Sequence, residues 1–171
     1  MNKKTLFCLQ DALQLRSYQS SDLPNLGKLF YETIHKVNQK DYTPEQLQAW
    51  APTIAPAAWH ERFLHTFTQI AVLKNKIVGF GNLEQTGYLD CLYVHHAYQS
   101  CGIGTAICDK LEQYAMQQGA QQITVHASIT AKPFFEQRGF VLLQEQLVKR
   151  NDVFLKNYKM QKKGIPILFK N

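Results

Sequence analysis

Apolar positions along this chain recur with two periods. Leu13, Leu15 and Tyr18 alternate with polar neighbours, as a half-buried strand requires. Leu23, Leu26, Leu29, Phe30 and Ile34 then recur at spacings of three and four, which predicts a helix over about 22–37 with Ser21-Asp22 as caps. Thr43-Pro44-Glu45 combines a capping residue, a proline at the first helical position and an early acid, so a short helix is expected to end by Trp50 or Ala51, before Pro52. A third helix is expected after Pro56, carrying Trp59, Phe63 and Leu64.

The pattern then changes to strands. Ile70–Leu73 and Ile77–Phe80, split by Lys74-Asn75-Lys76, read as an antiparallel pair on a tight polar turn. Gly87 to Val94 is nearly continuous in apolar character, which places this third strand centrally in a sheet. Ile103, Ala106, Ile107, Leu111, Tyr114 and Ala115 return to helical spacing, with Gly119 as the stop. Ile123, Val125 and Ala127 make a strand, Lys132–Arg138 a short helix ended by Gly139, and Phe140–Val148 and Val153–Met160 two last strands. The order is strand, helices, three strands, helix, strand, helix, two strands: a mixed α+β domain around one sheet.

A chain of 171 residues, 45% hydrophobic, can bury one sizeable core, so a single domain over 1–171 is expected. The formal net charge of +6 favours anionic ligands, a polyphosphate cofactor among them. Nucleic acid is disfavoured, because Lys156, Lys159, Lys162 and Lys163 read as a solvated strand end without interleaved aromatic residues. Cys8, Cys91, Cys101 and Cys108 have no Cys-x-x-Cys spacing, and no metal is expected. The apolar run near Met1 is too short for a signal-peptide core, and no stretch of about 18 apolar residues occurs, so a cytoplasmic protein without a membrane span is expected.

The segment with chemical content is Gln99-Ser100-Cys101-Gly102-Ile103-Gly104-Thr105, between the apolar strand and the longest helix. Glycines at 102 and 104 let the backbone approach a ligand, and the first amides of the helix have no internal acceptor. Such a helix start attracts phosphate through free N–H groups and the positive end of the helix dipole. The spacing is neither Gly-x-Gly-x-x-Gly nor a Gly-Lys-Ser/Thr loop, and the strands before it form an antiparallel meander. A nucleotide hydrolase and a Rossmann domain are therefore disfavoured.

With the stretch from Leu92 to Gly104, and with Ser128-Ile129-Thr130-Ala131-Lys132-Pro133-Phe134-Phe135-Glu136-Gln137-Arg138-Gly139-Phe140, the chain resembles the GCN5-related N-acetyltransferases over about residues 13–160. The resemblance implies the fold of that family, a mostly antiparallel sheet of about seven strands with four or five helices. It also implies acetyl-CoA as cosubstrate. The pyrophosphate would lie on Gln99, Ser100, Cys101, Gly102, Ile103, Gly104 and Thr105. Backbone groups of Leu92, Tyr93 and Val94 would pair with the pantetheine arm, and Ser128, Phe134 and Phe135 would contact the cofactor. An amide near Tyr93 or Val94 would stabilise the oxyanion of the attacked thioester.

Many members of the family carry, at the position of Phe135, a tyrosine that protonates the departing thiolate. Phe135 has no proton to give, so Tyr158 on the last strand, or water, is expected to serve. A base for the incoming ammonium is sought among acids on the central strands. Asp90 is the first candidate, its alternative being a strand-edge carboxylate bonded to backbone. Glu84 is the second and reads equally as a turn residue. Tyr31, Tyr42, Trp50 and Trp59 either shape the acceptor pocket or pack helices on the sheet, and His35 either lines that pocket or is a helix-surface histidine. The expected activity is direct acetyl transfer to a primary amine in a ternary complex. A cofactor-binding sensor with weak catalysis and a tRNA-acetylating toxin of the same fold are the alternatives. The edge formed by the C-terminal strands offers a surface for a homodimer.

Overall fold

The computed structural model describes residues 12–52 and 58–164. Its elements run β1 (Leu13–Ser17), α1 (Leu23–Val37), α2 (Pro44–Trp50), α3 (Trp59–His65), β2 (Phe67–Leu73), β3 (Lys76–Leu83), β4 (Tyr88–Val94), α4 (Ile103–Gln117), β5 (Gln122–Ser128), α5 (Lys132–Gln137), β6 (Val141–Arg150) and β7 (Val153–Lys163). This is the α+β order expected from the sequence. The start expected for the third helix, after Pro56, lies outside the described residues, as do Cys8 and the tail residues Ile165, Ile167, Leu168 and Phe169.

The seven strands form one sheet in the order β1-β2-β3-β4-β5-β7-β6. The apolar strand β4 is thus central, and every pairing is antiparallel except β4 with β5. Lys74 and Asn75 both take positive φ, 47° and 61°, the backbone of a two-residue hairpin turn whose twist suits the strands it joins. Thr43 caps α2 by accepting from Gln46 N–H, and Gln46 Oε1 accepts from Thr43 N–H in return. Strands β2 and β3 extend beyond the apolar runs, because Thr68, Gln69 and Asn82 are buried polar residues that interrupt the hydrophobic pattern without interrupting the ladder.

The sheet separates two apolar cores. On one face α4 and α5, the latter through Phe135, cover Leu89, Val125, Phe140 and Met160. On the other, α1, α2 and α3 pack Phe30, Leu47, Trp59 and Phe63 against Phe80 and Cys91. The central strand departs from regularity at one point. Leu83 pairs with Leu89 while Asn82 pairs with Cys91, so Asp90 is an extra residue in β4, a β-bulge. Bulges re-aim side chains, and this one turns Asp90 and Cys91 toward the α1–α3 face, with the Cys91 thiol donating to Asp90 Oδ2 at 3.6 Å.

Candidate functional site

Strands β4 and β5 pair only at Tyr88↔Thr124 and Leu89↔Val125, and then part. The register of β4 on β3, anchored by His95 N–H to Val78 C=O at 2.9 Å, commits the backbone groups of Tyr93 to β3. Those of Leu92 and Val94 alternate with them and face the opening. Within it Val94 C=O accepts from Gln99 Nε2 at 2.6 Å and from Thr33 Oγ1 at 3.1 Å, which fixes the loop and α1 to the strand. The Val94 N–H and both groups of Leu92 have no partner across the gap on β5. Tyr93, expected to serve through its backbone, is paired there with Phe80 of β3, and its ring packs on Phe30 and Phe80.

A cleft of about 540 Å³ follows this opening. Of the expected cofactor residues it is lined by Leu92, Tyr93, Val94, Gln99, Ser100, Gly102, Ile103, Gly104, Thr105, Ser128, Phe134 and Phe135. Cys101 is turned into the core at 3% exposure, its thiol donating to Gln99 C=O, so it does not reach the cleft. Gly102 is the N-cap of α4 at φ 80°, a left-handed conformation that favours glycine, and Ser100 is also left-handed at φ 58°. The chain thereby folds back so that the unpaired amides at the start of α4 face the cleft. Asn38 Nδ2 donates to Thr130 Oγ1 at 3.0 Å and Thr130 donates to Asp41 at 2.6 Å, strapping the end of α1 to the loop after β5.

A second cleft, of about 380 Å³, lies on the other face of the sheet. Trp50, Asp90, Tyr93, His126 and Ser128 line both, so the two meet where β4 leaves β5. Asp90 is held there by Arg62 of α3 at 3.1 Å and by Asn82 Nδ2 at 3.4 Å. Burial, reinforced by the charges of Asp90, Cys91 and Glu84, pushes the Tyr88 hydroxyl up to about 12. Burial also pushes the Cys91 thiol well up, which removes it as a nucleophile. Glu84 is a turn residue accepting from Thr86 and lines neither cleft.

Other expected residues are placed elsewhere. Tyr158 is paired with Ala127 in register, which puts it on the α5 face beneath Lys132, 5.0 Å from its ring, and it lines neither cleft. Tyr31 and His35 also line neither cleft; their rings pack on each other at 4.3 Å, and His35 bonds the Ala51 carbonyl. Tyr42 borders the second cleft, but its hydroxyl is committed at both ends, donating to Lys156 C=O at 2.7 Å and accepting from Ile129 N–H at 2.9 Å. Trp50 and Trp59 do line that cleft. Away from both clefts, Glu32, His95 and His96 bring one ligand atom each to within 4.8 Å of one another, with Lys36 Nζ 3.4 Å from His96 Nε2.

His126, Arg62 and Arg150 are not among the residues expected from the sequence. His126 is an exposed side chain whose ring packs on Tyr88 at 5.4 Å, and the partial desolvation there, helped by the charge of Lys159, pushes its imidazole below the ordinary 6.5, so it is mainly neutral and able to accept a proton near pH 7. The signal available was a histidine in the alternating strand Ile123-Thr124-Val125-His126-Ala127, on the parity opposite the core. Arg62 and Arg150 lie on a short helix and a hairpin end and carried no local signal.

A family profile described as Acetyltransferase (GNAT) domain matches residues 38–162. The chain is 32% identical over 152 residues to the uncharacterized N-acetyltransferase YafP of Escherichia coli K12, covering 88% of this chain and 96% of that one. A crystal structure of a GCN5-related N-acetyltransferase from Rhodopseudomonas palustris superposes with a TM-score of 0.80 at 35% identity, covering 88% of this chain and 94% of the other. The PaiA N-acetyltransferase of Thermoplasma acidophilum, in complex with coenzyme A, shares the fold with a TM-score of 0.73 at 16% identity, covering 89% and 99%. The profile over most of the chain and the near full-length relative make this protein a member of the GNAT acetyltransferase family.

Proposed function

We propose that this acetyltransferase moves the acetyl group of acetyl-CoA directly to a primary amine in a ternary complex. The observation that carries the reading is the meeting of two clefts, one on each face of the sheet, at the gap between β4 and β5. A thioester threaded from the α4 side and an amine from the α1–α3 side would meet there without a covalent enzyme intermediate. The coenzyme A held by the Thermoplasma neighbour supports the donor side of the reading.

In this reading the amides at the start of α4 hold the pyrophosphate, and the free groups of Leu92 and Val94 pair with the pantetheine arm. The Val94 N–H, aimed into the gap, stabilises the developing oxyanion. Asp90 attracts the acceptor ammonium, and neutral His126, which borders both clefts, takes its proton. The thiolate departs to water, since a thiol of ordinary pKa about 8.5 is a good leaving group and Phe135 is apolar.

Calorimetric titration with acetyl-CoA, followed by CoA release across an amine panel, tests the proposal. Binding that Gly104→Glu loses, together with amine-dependent release, supports it. Absence of binding by the folded protein overturns it, and binding without release for any amine leaves a cofactor sensor in its place.

A further inference from the structure

Charge in the second cleft is unevenly matched. Asp90 is the one carboxylate among the described residues that line it, and Arg62 already neutralises Asp90 at 3.1 Å. Arg150, at the β6–β7 end, lines the same cleft and makes no ion pair with any described residue. Lys156 is no part of this imbalance, because Glu145 holds its ammonium at 2.6 Å. One positive charge is therefore left over against an aromatic wall of Phe30, Trp50, Trp59 and Tyr88.

A second imbalance lies at the inner end. Asn157, opposite Ser128 in the β5–β7 register, has a buried side-chain oxygen with no hydrogen-bond partner. A buried acceptor without a donor is costly, and an incoming N–H would relieve it. The cleft thus has an unsatisfied acceptor within its wall near the seam, an apolar middle, and an unmatched cation at its rim.

Resting on the transferase reading, we propose that the acceptor is a small aromatic amine that also carries a carboxylate, in the manner of an aromatic amino acid. The amine would lie at Asn157 and Asp90, the ring among the aromatic side chains, and the carboxylate at Arg150, whose planar fork suits it. A polyamine would bring a second cation to a cleft whose one carboxylate is already matched. A cavity of about 380 Å³ also suits a molecule of amino-acid size.

The test compares matched amines in CoA release: phenylalanine and tryptophan against phenethylamine and tryptamine, with spermidine as the polyamine. The expected result is a kcat/KM about tenfold or more higher for each carboxylate-bearing member, the size of one charge-assisted contact. Arg150→Gln should collapse that ratio, and Arg150→Lys should retain part of it. Equal or better turnover of the decarboxylated amines or spermidine overturns the inference, as does a ratio unmoved by Arg150→Gln, or acetyl-CoA binding with no turnover of either amino acid. Failure to bind acetyl-CoA at all is a different result, and removes the transferase reading itself.

Discussion

Asn82 Oδ1 accepts the Cys91 backbone N–H at 3.1 Å, so a side-chain amide at 0% exposure supplies an acceptor where the bulge disturbs the ladder. Its Nδ2 reaches both Thr66 Oγ1 at 3.2 Å and Asp90 Oδ2 at 3.4 Å. One residue therefore satisfies the strand irregularity and orients the carboxylate that the irregularity presents. Asn82→Leu should lower stability by about 1–3 kcal/mol in urea denaturation, the cost of a buried donor left unpaired. It should also raise KM for the amine, because Asp90 keeps only Arg62 and the weak Cys91 thiol donor as polar supports. Unchanged stability would mean that water or backbone takes the amide's place.

The two loop glycines should respond differently to alanine. A Cβ at Gly104 would meet Phe134 at 3.6 Å and Val94 at 3.7 Å, ordinary contact distances, so Gly104→Ala should fold and bind acetyl-CoA nearly as well as the parent. Gly102 is at φ 80°, where a Cβ is strained, so Gly102→Ala should lose about 1–2 kcal/mol of stability and weaken cofactor binding. Thermal melting and calorimetry on the pair would check both.

His126 sets the expected pH dependence of turnover. Its imidazole is held below the ordinary 6.5, and it must be neutral to accept a proton, so kcat/KM should rise with pH on a limb centred below 6.5. His126→Gln should remove that limb and lower kcat by about 100-fold or more. A limb that survives the substitution would assign the titration to another group.

A separate titration should govern acid stability. Burial pushes the Asp22 carboxyl up, but two 2.7 Å bonds from Arg16, the Gln19 N–H at 2.9 Å and the Arg16 charge outweigh it, leaving Asp22 below its ordinary 3.8. A lowered carboxylate pKa stabilises the fold above the unfolded value, and that contribution is lost as pH falls through the native one. Arg16 is partly exposed, so Asp22→Asn should cost only about 1 kcal/mol at pH 7, and less as pH falls below 3.8. Denaturation of both proteins across that range would measure the difference.

The fold was readable because its elements carry their own patterns: the spacing from Leu23 to Ile34, the apolar run into Val94, and the Gln99–Thr105 turn. The loop glycines were readable for the same reason. What could not be read depends on register. The stretch Lys156-Asn157-Tyr158-Lys159 has no alternation to say which side chains face which cleft, and a one-residue slip exchanges them. Pairing with Ala127 sends Tyr158 to the α5 face and leaves Asn157, which no local pattern distinguishes, on the cleft. The bulge at Asp90 and its pairing with Arg62, 28 residues away, are likewise tertiary facts. Tyr31 and His35 lie on a helix that borders the right region, but their positions on it direct them to each other.

The parting of β4 and β5 has a mechanical side. Two rungs, Tyr88↔Thr124 and Leu89↔Val125, join a four-stranded half-sheet to a three-stranded one, and beyond them nothing in the ladder spans the gap. The ladder is thus pinned at one end and open at the other, like a jaw, while the shared core and the Asn38–Thr130 contact hold the halves beside it. A molecule lying in that jaw and bonding to Leu92 and Val94 would brace the halves as well as occupy a site. Acetyl-CoA should therefore raise the melting temperature, and the gain should grow with its concentration. It should also slow hydrogen exchange at amides on both lips of the gap together, since in that state the ligand has become part of the girder.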